Sequence, residues 1–273
     1  MRVAYGPDVL CARAVSASPV GGPVEHVDVV LGFASLPAEF SGLRIGLLSD
    51  LHFPGRAVAL LPHVRNWALA REVDLWAVTG DLVDGKRGMG PARELIAALS
   101  APYGVYAVAG NNDNRVFGPG APATAALEGM GATVLRNRSV LLRRDRAELP
   151  LVGVDDPSRL RDDLPAAMRG VDDHPFKLLL AHSPGVVFRA AAAGASLVLS
   201  GHTHGGQIRL PRIGALAART RQRGCGRKMA AGLFSVDDTA VYVSRGLGTS
   251  LLPVRILCPP EVTTITLLRE EPA

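Results

Sequence analysis

Two histidines separated by one residue stand out in the glycine-rich segment 199–207. Neutral imidazole is the commonest metal ligand among protein side chains. In an extended segment, side chains two positions apart point the same way, so we expect His202 and His204 to face one point in space. The neighbouring glycines allow the backbone to turn sharply and to approach other groups closely. The segment therefore predicts part of a metal site, with an ordinary pair of exposed loop histidines as the alternative.

Polar side chains also follow four other apolar runs, which have the length and composition of strands. The runs 43–48, 74–79, 103–109 and 175–181 end in Asp50 and His52, in Asp81, in Asn111-Asn112-Asp113, and in His182, respectively. Helical patterns at 60–73, 91–99, 121–130 and 186–193 lie between or after these runs. Strands that alternate with helices predict a largely parallel sheet, which binds ligands beyond the carboxyl ends of its strands. The polar clusters are therefore expected to meet at one edge.

The remaining apolar runs predict additional strands. The alternation at 24–31 predicts a strand, and residues 1–40 are expected to add one or two strands to the edge of the main sheet. Short runs at 133–135, 140–142 and 149–154 are spaced as in a meander, and further runs occur at 240–244, 254–258 and 262–268. We therefore expect two sheets with helices outside them.

Composition narrows the class of protein. The chain has 273 residues, 48% of them hydrophobic, and a formal net charge of +5, which is ordinary for a globular protein that handles anions. Its three cysteines are too few for a disulfide framework. Because no signal peptide or membrane span is evident, we expect a cytoplasmic protein, or one peripheral at the membrane. The densest basic run, from Arg219 to Lys228, is interpreted as a solvated loop, with a patch that contacts anionic lipid as the alternative.

The candidate ligands combine carboxylate, imidazole and amide oxygen without thiolate, a set that suits Mn, Fe or Zn. Seven ligands are too many for one ion and suit two divalent ions, with one carboxylate between them to offset the repulsion of the cations. These seven are Asp50, His52, Asp81, Asn111, His182, His202 and His204. The other histidines, His26, His63 and His174, lack such surroundings and are interpreted as structural or surface residues.

The order of motifs, Asp-x-His, Gly-Asp, Gly-Asn-Asn-Asp, a lone His and Gly-His-Thr-His, resembles the calcineurin-like metallophosphoesterase superfamily from about residue 43 to residue 250. The sequence around the motif Gly-His-Thr-His-Gly-Gly-Gln resembles that of a bacterial phosphohydrolase branch of this superfamily. The resemblance implies an α/β fold, a four-layer αββα sandwich of two mixed β-sheets flanked by helices. We therefore expect a single domain over residues 1–273, with 1–40 as an N-terminal edge extension and 43–250, the part that the resemblance covers, as the catalytic core.

The resemblance also implies roles for the candidate ligands. Asp50, His52 and His204 would bind a first metal ion, and Asp81 would bridge it to a second. Asn111, His182 and His202 would complete the second site. A hydroxide held between the ions would attack phosphorus in line, without a covalent enzyme intermediate. The implied substrates are phosphorylated small molecules, nucleotides or lipid-linked phosphates, and no obligate protein partner is implied.

One position departs from the family pattern. The histidine that usually follows the metal-binding asparagine, and that is assigned to protonate the leaving group, is Asn112 here. Asparagine can donate a hydrogen bond to a phosphoryl oxygen but cannot supply a proton. We therefore predict a preference for good leaving groups, such as those of pyrophosphates. Asp113 either replaces the missing acid or braces neighbouring groups.

Each candidate also has a plain structural interpretation. Asp50 and Asp81 are suited to capping helices, Asn111 to holding a tight turn, and His182 to a near-surface position.

Two other functions compete with hydrolysis at a two-ion site. The first is a metal-binding but catalytically silent regulatory or scaffold protein, which only Asn112 favours. The second is a nucleic-acid phosphodiesterase, which is disfavoured because no aromatic residues interleave with the arginines of 219–228.

Overall fold

The computed structural model describes residues 9–18, 24–215 and 229–270, which form mixed strands and helices. The strands are β1 (Val9–Ser18), β2 (Glu25–Phe33), β3 (Leu43–Leu48), β4 (Leu75–Val78), β5 (Val105–Ala107), β6 (Thr133–Val134), β7 (Arg138–Arg144), β8 (Ala147–Gly153), β9 (Leu178–Leu180), β10 (Leu197–Ser200), β11 (Arg209–Leu210), β12 (Gly214–Ala215), β13 (Gly232–Val236), β14 (Thr239–Val243) and β15 (Glu261–Arg269). The helices are α1 (Leu61–Leu69), α2 (Met89–Ala98), α3 (Asn111–Phe117), α4 (Ala121–Glu128), α5 (Leu164–Met168) and α6 (Val187–Ala192).

Two large sheets carry the fold. The seven-stranded sheet has the order β1-β2-β15-β3-β4-β5-β6, and the run from β3 to β6 is parallel. The six-stranded sheet has the order β13-β14-β10-β9-β8-β7, in which β14, β10, β9 and β8 are parallel and the outer strands β13 and β7 are antiparallel. In each sheet, parallel strands therefore direct their carboxyl ends to the same edge.

Alternating side chains explain why the two sheets stack. In β4, Leu75 and Ala77 face the core between the sheets, whereas Trp76 and Val78 face a second core that contains side chains of α1 and α2. A third core lies between the six-stranded sheet and helices α5 and α6. Each helix covers an apolar sheet face that would otherwise be exposed to water. The predicted four-layer αββα sandwich is thus confirmed.

The predicted elements differ from the observed ones at several places, including helix α5 and strand β13, which were not predicted. Residues 133–154 do not form one meander, because β6 pairs with β5 in the first sheet and β7 and β8 form a hairpin in the second. The strand predicted at 254–258 is wrong. This segment forms only an isolated bridge, Ile208 to Ile256, and most of its residues are exposed rather than packed in a sheet. Helix α3 was not predicted, since its first turn consists of polar residues.

Two further predictions concern the N-terminal edge strands and the basic run. The strand predicted at 24–31 is confirmed as β2, which with β1 extends the edge of the seven-stranded sheet. The basic run 219–228 falls in the interval 216–228, between the described parts of the chain. In those described parts, every helix is too short or too polar to span a lipid bilayer.

Candidate metal centre

The predicted ligands come from the carboxyl ends of five strands, three in one sheet and two in the other. The first sheet supplies Asp50 and His52 after β3, Asp81 after β4 and Asn111 at the start of α3, which follows β5; the second supplies His182 after β9 and His202 and His204 after β10. All seven lie at the line where these two edges meet. The structure therefore brings together every residue predicted as a ligand.

One group of donors surrounds Asp50. The Nε2 atoms of His52 and His204 are 3.0 Å apart. Oδ1 of Asp50 lies 3.8 Å from Nε2 of His52 and 3.5 Å from Nε2 of His204. The three side chains are buried, and one donor atom of each lies within 4.8 Å of the others. This arrangement can hold a metal ion.

A second group surrounds His182. Its Nε2 atom lies 3.0 Å from Nδ1 of His202, 3.2 Å from Oδ1 of Asn111 and 3.5 Å from Oδ2 of Asp81. The same Asp81 oxygen is 3.6 Å from Nε2 of His52, which belongs to the first group. Asp81 thus lies between the two groups. Asp50 is also close to both, since it can form a three-residue cluster with Asp81 and His182.

The donor atoms themselves indicate that a cation fits this site. Nδ1 of His52 is 2.7 Å from Oδ1 of Asp84, and Nδ1 of His182 is 2.8 Å from the carbonyl oxygen of Thr79. Both Nδ1 atoms must be protonated to donate these hydrogen bonds, so in the neutral imidazoles both Nε2 atoms present lone pairs to the cluster. This is the usual arrangement around a metal-binding histidine.

Asp50 shows the same feature on the carboxylate side. Its Oδ2 atom accepts hydrogen bonds from Ser49 Oγ at 2.6 Å and from the amide of His202 at 2.9 Å. Its Oδ1 atom is buried and has no hydrogen-bond partner among the described residues. A buried carboxylate oxygen without a partner is costly. A divalent ion would satisfy this oxygen and the imidazole lone pairs beside it.

The electrostatics also favour ionised carboxylates here. Burial raises the pKa of Asp50 and Asp81, but the neighbouring histidines outweigh it, His204 for Asp50 and His182 for Asp81, and hold both pKa values below the usual range. Burial lowers the pKa of His204 to about 3. For His52, the lowering effect of burial is outweighed by the nearby carboxylates of Asp50 and Asp84, which raise its pKa to about 10. The two buried carboxylates therefore need positive charge beside them, which a bound cation or a proton on His52 can supply.

Asn112 and Asp113 occupy different positions around Asp81. The amide Nδ2 of Asn112 donates to Asp81 Oδ2 at 2.7 Å, and Oδ1 of Asn112 accepts from Arg115 Nη2 at 2.8 Å. Asp113 is fully buried and accepts hydrogen bonds from the backbone amides of Asp81, Leu82 and Gly110. Burial together with the charge of Asp81 raises the pKa of Asp113 to about 6. Its contacts correspond to the bracing role, and Asn112 is the one that borders the cavity.

The backbone at the ligands is not extended, contrary to the prediction for segment 199–207. His202 and His204 both have positive φ angles, 68° and 53°, so the alternation of an extended strand does not apply. Their imidazoles face different partners, His182 and His52, respectively. Gly201 makes this turn possible, because a Cβ atom there would collide with Ser49 and Asp50. The two histidines do meet at one centre, but through a turn.

A cavity of about 340 Å³ opens beside the two groups. Its lining includes the predicted ligands Asp81, Asn111 and His202, together with Arg159 and the apolar Leu252. This volume is at the lower end for ligand sites in proteins. It suits a phosphate group with a limited part of the molecule that carries it.

Asp84 is the functional residue that sequence reasoning missed. It lies after the strand-like run that ends at Asp81, and its carboxylate orients His52 from outside the group of ligands. Nothing in its spacing distinguishes it from a solvated loop aspartate, and 39% of its side chain is exposed. Only the contact with His52, which is distant in sequence, reveals its role.

Comparison with known proteins agrees with this geometry. A model of a family described as calcineurin-like phosphoesterase matches residues 43–206. The uncharacterized metallophosphoesterase YkuE of Bacillus subtilis is 30% identical over 251 residues, which cover 89% of this chain and 85% of YkuE. An uncharacterized metallophosphoesterase of Aquifex aeolicus is 32% identical over 236 residues, which cover 82% of this chain and 85% of that protein.

A relative with a named activity and a solved structure are also similar. Phosphodiesterase YaeI of Escherichia coli is 28% identical over 235 residues, which cover 82% of this chain and 82% of YaeI. Phosphopantetheinyl hydrolase from Mycobacterium tuberculosis is similar in structure with a TM-score of 0.45 and 10% identity, over 75% of this chain and 89% of that chain.

Proposed function

Because this chain belongs to the calcineurin-like phosphoesterase family and is a metal-dependent phosphoester hydrolase, we propose that it works with two divalent ions and prefers substrates with good leaving groups. The observation that carries the two-ion part is the position of Asp81. One of its oxygens lies 3.6 Å from Nε2 of His52 and 3.5 Å from Nε2 of His182, so this carboxylate can serve both groups of ligands.

The chain's own residues divide the work. Asp50, His52 and His204 hold the first ion, Asn111, His182 and His202 hold the second, and Asp81 contributes to both. When bound, Mn, Fe or Zn ions supply Lewis-acid stabilisation of the phosphoryl oxygens and lower the pKa of water. Asp84 orients His52, and Asp113 fixes the backbone that carries Asp81.

The leaving-group preference rests on Asn112. Its amide donates to Asp81 and accepts from Arg115, and neither group of an amide can release a proton near neutral pH. General acid catalysis typically contributes about 10²- to 10⁴-fold. Simple alkoxides therefore leave slowly from this site, whereas the phosphate released from a pyrophosphate and phenolates depart without protonation.

The substrate class stays broad. A phosphorylated small molecule, a nucleotide or a lipid-linked phosphate would each place its phosphate beside Asp81, Asn111 and His202 in the cavity. The lipid-linked class is supported by the apolar part of the cavity, where Ile208, Leu251 and Leu252 lie, because 73% of Leu251 and 57% of Leu252 are exposed. Apolar surface beside a polar centre is stabilised by contact with an aliphatic chain.

Membrane contact and nucleic-acid binding depend on residues 219–228, for which the structure offers no description. Contact of this basic run with anionic lipid, and with it a peripheral location, stays a proposal. Binding to anionic vesicles and to single-stranded DNA, each measured over a series of salt concentrations, separates the two ligands.

The test of the proposed function is hydrolysis of p-nitrophenyl phosphate and bis-p-nitrophenyl phosphate by metal-stripped protein. Mn²⁺, Zn²⁺, Fe²⁺ and Mg²⁺ are added back separately, and bound metal is counted. We expect restored activity with two ions per chain, and its loss in Asp81→Asn but not in Asp145→Asn, an exposed turn aspartate with the same change in charge. Two bound ions without activity would instead support the silent scaffold.

A further inference from the structure

Arg159 lies beside the metal centre, and its side chain makes no contact that stabilises the described part of the fold. It lines the same cavity as Asp81, Asn111 and Asn112. Within residues 9–18, 24–215 and 229–270, its exposed side chain has no hydrogen bond or ion pair. Most guanidinium groups near the centre are engaged; Arg115, for example, donates to Asn112, and Arg255 donates to backbone carbonyls such as that of Gly248. Arg159 is therefore available to a ligand.

The loop that carries Arg159 is tied to the helix that carries Asn111 and Asn112. Nδ2 of Asn114, on α3, donates to Asp155 Oδ1 at 3.2 Å, and both residues are buried. The same oxygen accepts from the amide of Asp156 at 2.8 Å, and Asp156 in turn accepts from the amide of Ser158 at 2.8 Å. This chain of hydrogen bonds fixes the position of the loop relative to the metal centre. The backbone of Arg159 is thus pre-organised.

The missing proton donor and the free guanidinium are complementary. A site with Asn112 in place of a histidine cannot protonate its leaving group, so a leaving group that departs as an anion needs positive charge near it. Guanidinium binds phosphate oxygens in a bidentate manner and stays charged at any physiological pH. We propose that Arg159 binds the second phosphoryl group of a diphosphate substrate, the one that leaves, and thereby selects diphosphates over single phosphoesters. This inference rests on the proposed function and specifies its substrate.

The reaction balances without any further reactant. Water attacks the phosphorus at the metal centre, and the bond between this phosphorus and the bridging oxygen breaks. The bridging oxygen keeps the electron pair and becomes an oxygen of the second phosphate, whose charge Arg159 offsets. The oxygen of water stays on the attacked phosphorus, and its two protons pass to solvent. Two phosphates result, and no group needs to donate a proton to the bridge.

The experiment compares Arg159→Gln and Arg159→Lys with Arg161→Gln. Arg161 is a suitable control because it lies two residues away, is exposed and does not line the cavity. The substrates are UDP-glucose, dodecyl diphosphate and p-nitrophenyl phosphate. A hydrogen bond to a charged group, once lost, corresponds to about tenfold or more. Arg159→Gln should therefore lower kcat/KM at least tenfold on the diphosphates and less than twofold on p-nitrophenyl phosphate.

The two control variants sharpen this result. Arg159→Lys keeps the charge but not the bidentate geometry and should fall between wild type and Arg159→Gln. Arg161→Gln should behave as wild type. Equilibrium dialysis gives a second readout, in which Arg159→Gln weakens binding of α,β-methylene-UDP at least tenfold and that of UMP less than twofold.

The outcomes separate this inference from the function beneath it. If wild type hydrolyses none of the three substrates with any metal ion, the proposed function fails. If it hydrolyses p-nitrophenyl phosphate but neither diphosphate, or if Arg159→Gln affects all three substrates equally, only the role of Arg159 is overturned. Turnover of UDP-glucose alone identifies a nucleotide source for the diphosphate, and turnover of dodecyl diphosphate alone identifies a lipid source.

Discussion

Replacement of Asp84 tests whether the histidine orientation seen here serves metal binding. Asp84 Oδ1 is 2.7 Å from Nδ1 of His52, and this contact fixes the imidazole with its Nε2 lone pair towards Asp50 and His204. Asp84→Asn keeps the size of the side chain but removes the charge. It also lets the amide present a donor instead of an acceptor, so that His52 loses the preference for the required tautomer.

The magnitude follows from the position of Asp84. Loss of the carboxylate behind a metal-binding histidine costs typically about 10- to 100-fold in metal affinity. Because 39% of the Asp84 side chain is exposed, water screens its charge and can replace part of its hydrogen bond. We therefore expect the low end of that range, about tenfold, which corresponds to about 1.4 kcal/mol.

The assay is competition for Mn²⁺ between the protein and a chelator of known affinity. Asp145→Asn, in the turn between β7 and β8, is the matched control, since it makes the same change in charge on an exposed side chain. We expect weaker binding of one ion in Asp84→Asn and unchanged binding in Asp145→Asn. Equal Mn²⁺ affinity in wild type and both variants would refute the assignment of Asp84 as the residue that orients His52.

Three further changes probe the site from other sides. Gly110→Ala should lower kcat at least 100-fold, because the new Cβ atom would collide with Asp81 and displace it. A displacement of about 1 Å at a catalytic centre can lower the rate about 100-fold. Gly90→Ala, in open space on α2, is the control and should leave kcat unchanged. Asn112→His should speed hydrolysis of an alkyl phosphate about tenfold or more; no gain would mean that another group already supplies the proton. Leu252→Asp should reduce the preference for p-nitrophenyl dodecyl phosphate over the methyl ester several-fold, because it removes apolar contact worth about 1 kcal/mol. Leu69→Asp, at an equally exposed position, should leave this preference unchanged.

The ligands could be predicted from sequence because their positions follow from the geometry of parallel sheets. Asp81 and His182 are distant in sequence, yet each comes directly after a buried apolar run. Such runs end at the same edge of a parallel sheet, so residue type and position along the chain together indicate the site.

The residues around the ligands carry no comparable signal. Asp84 and Arg159 resemble ordinary surface residues until the contacts between distant segments are known.

The same contrast holds for the elements. Strand β3 was predicted closely because six apolar or compatible residues in succession have few alternatives once buried. Segment 254–258 is nearly as apolar, but it joins neither large sheet, and its residues remain mostly exposed. Periodicity reports the preference of a segment for burial. Whether a partner strand is present depends on the topology, which periodicity does not contain.

Ligands two positions apart in the sequence meet at the centre for a different reason from the strand alternation that their spacing suggests. Asp50, His52, Asp81, His202 and His204 all have φ angles between 49° and 68°, a region that residues with a Cβ atom adopt only at a cost of roughly 1–3 kcal/mol. In an extended strand, two side chains separated by one residue would both face the same layer of the sandwich. A left-handed residue turns the chain across the sheet edge instead, so His202 can face His182 while His204 faces His52 in the other sheet. The strained backbone is therefore what allows two sheets to contribute to one centre.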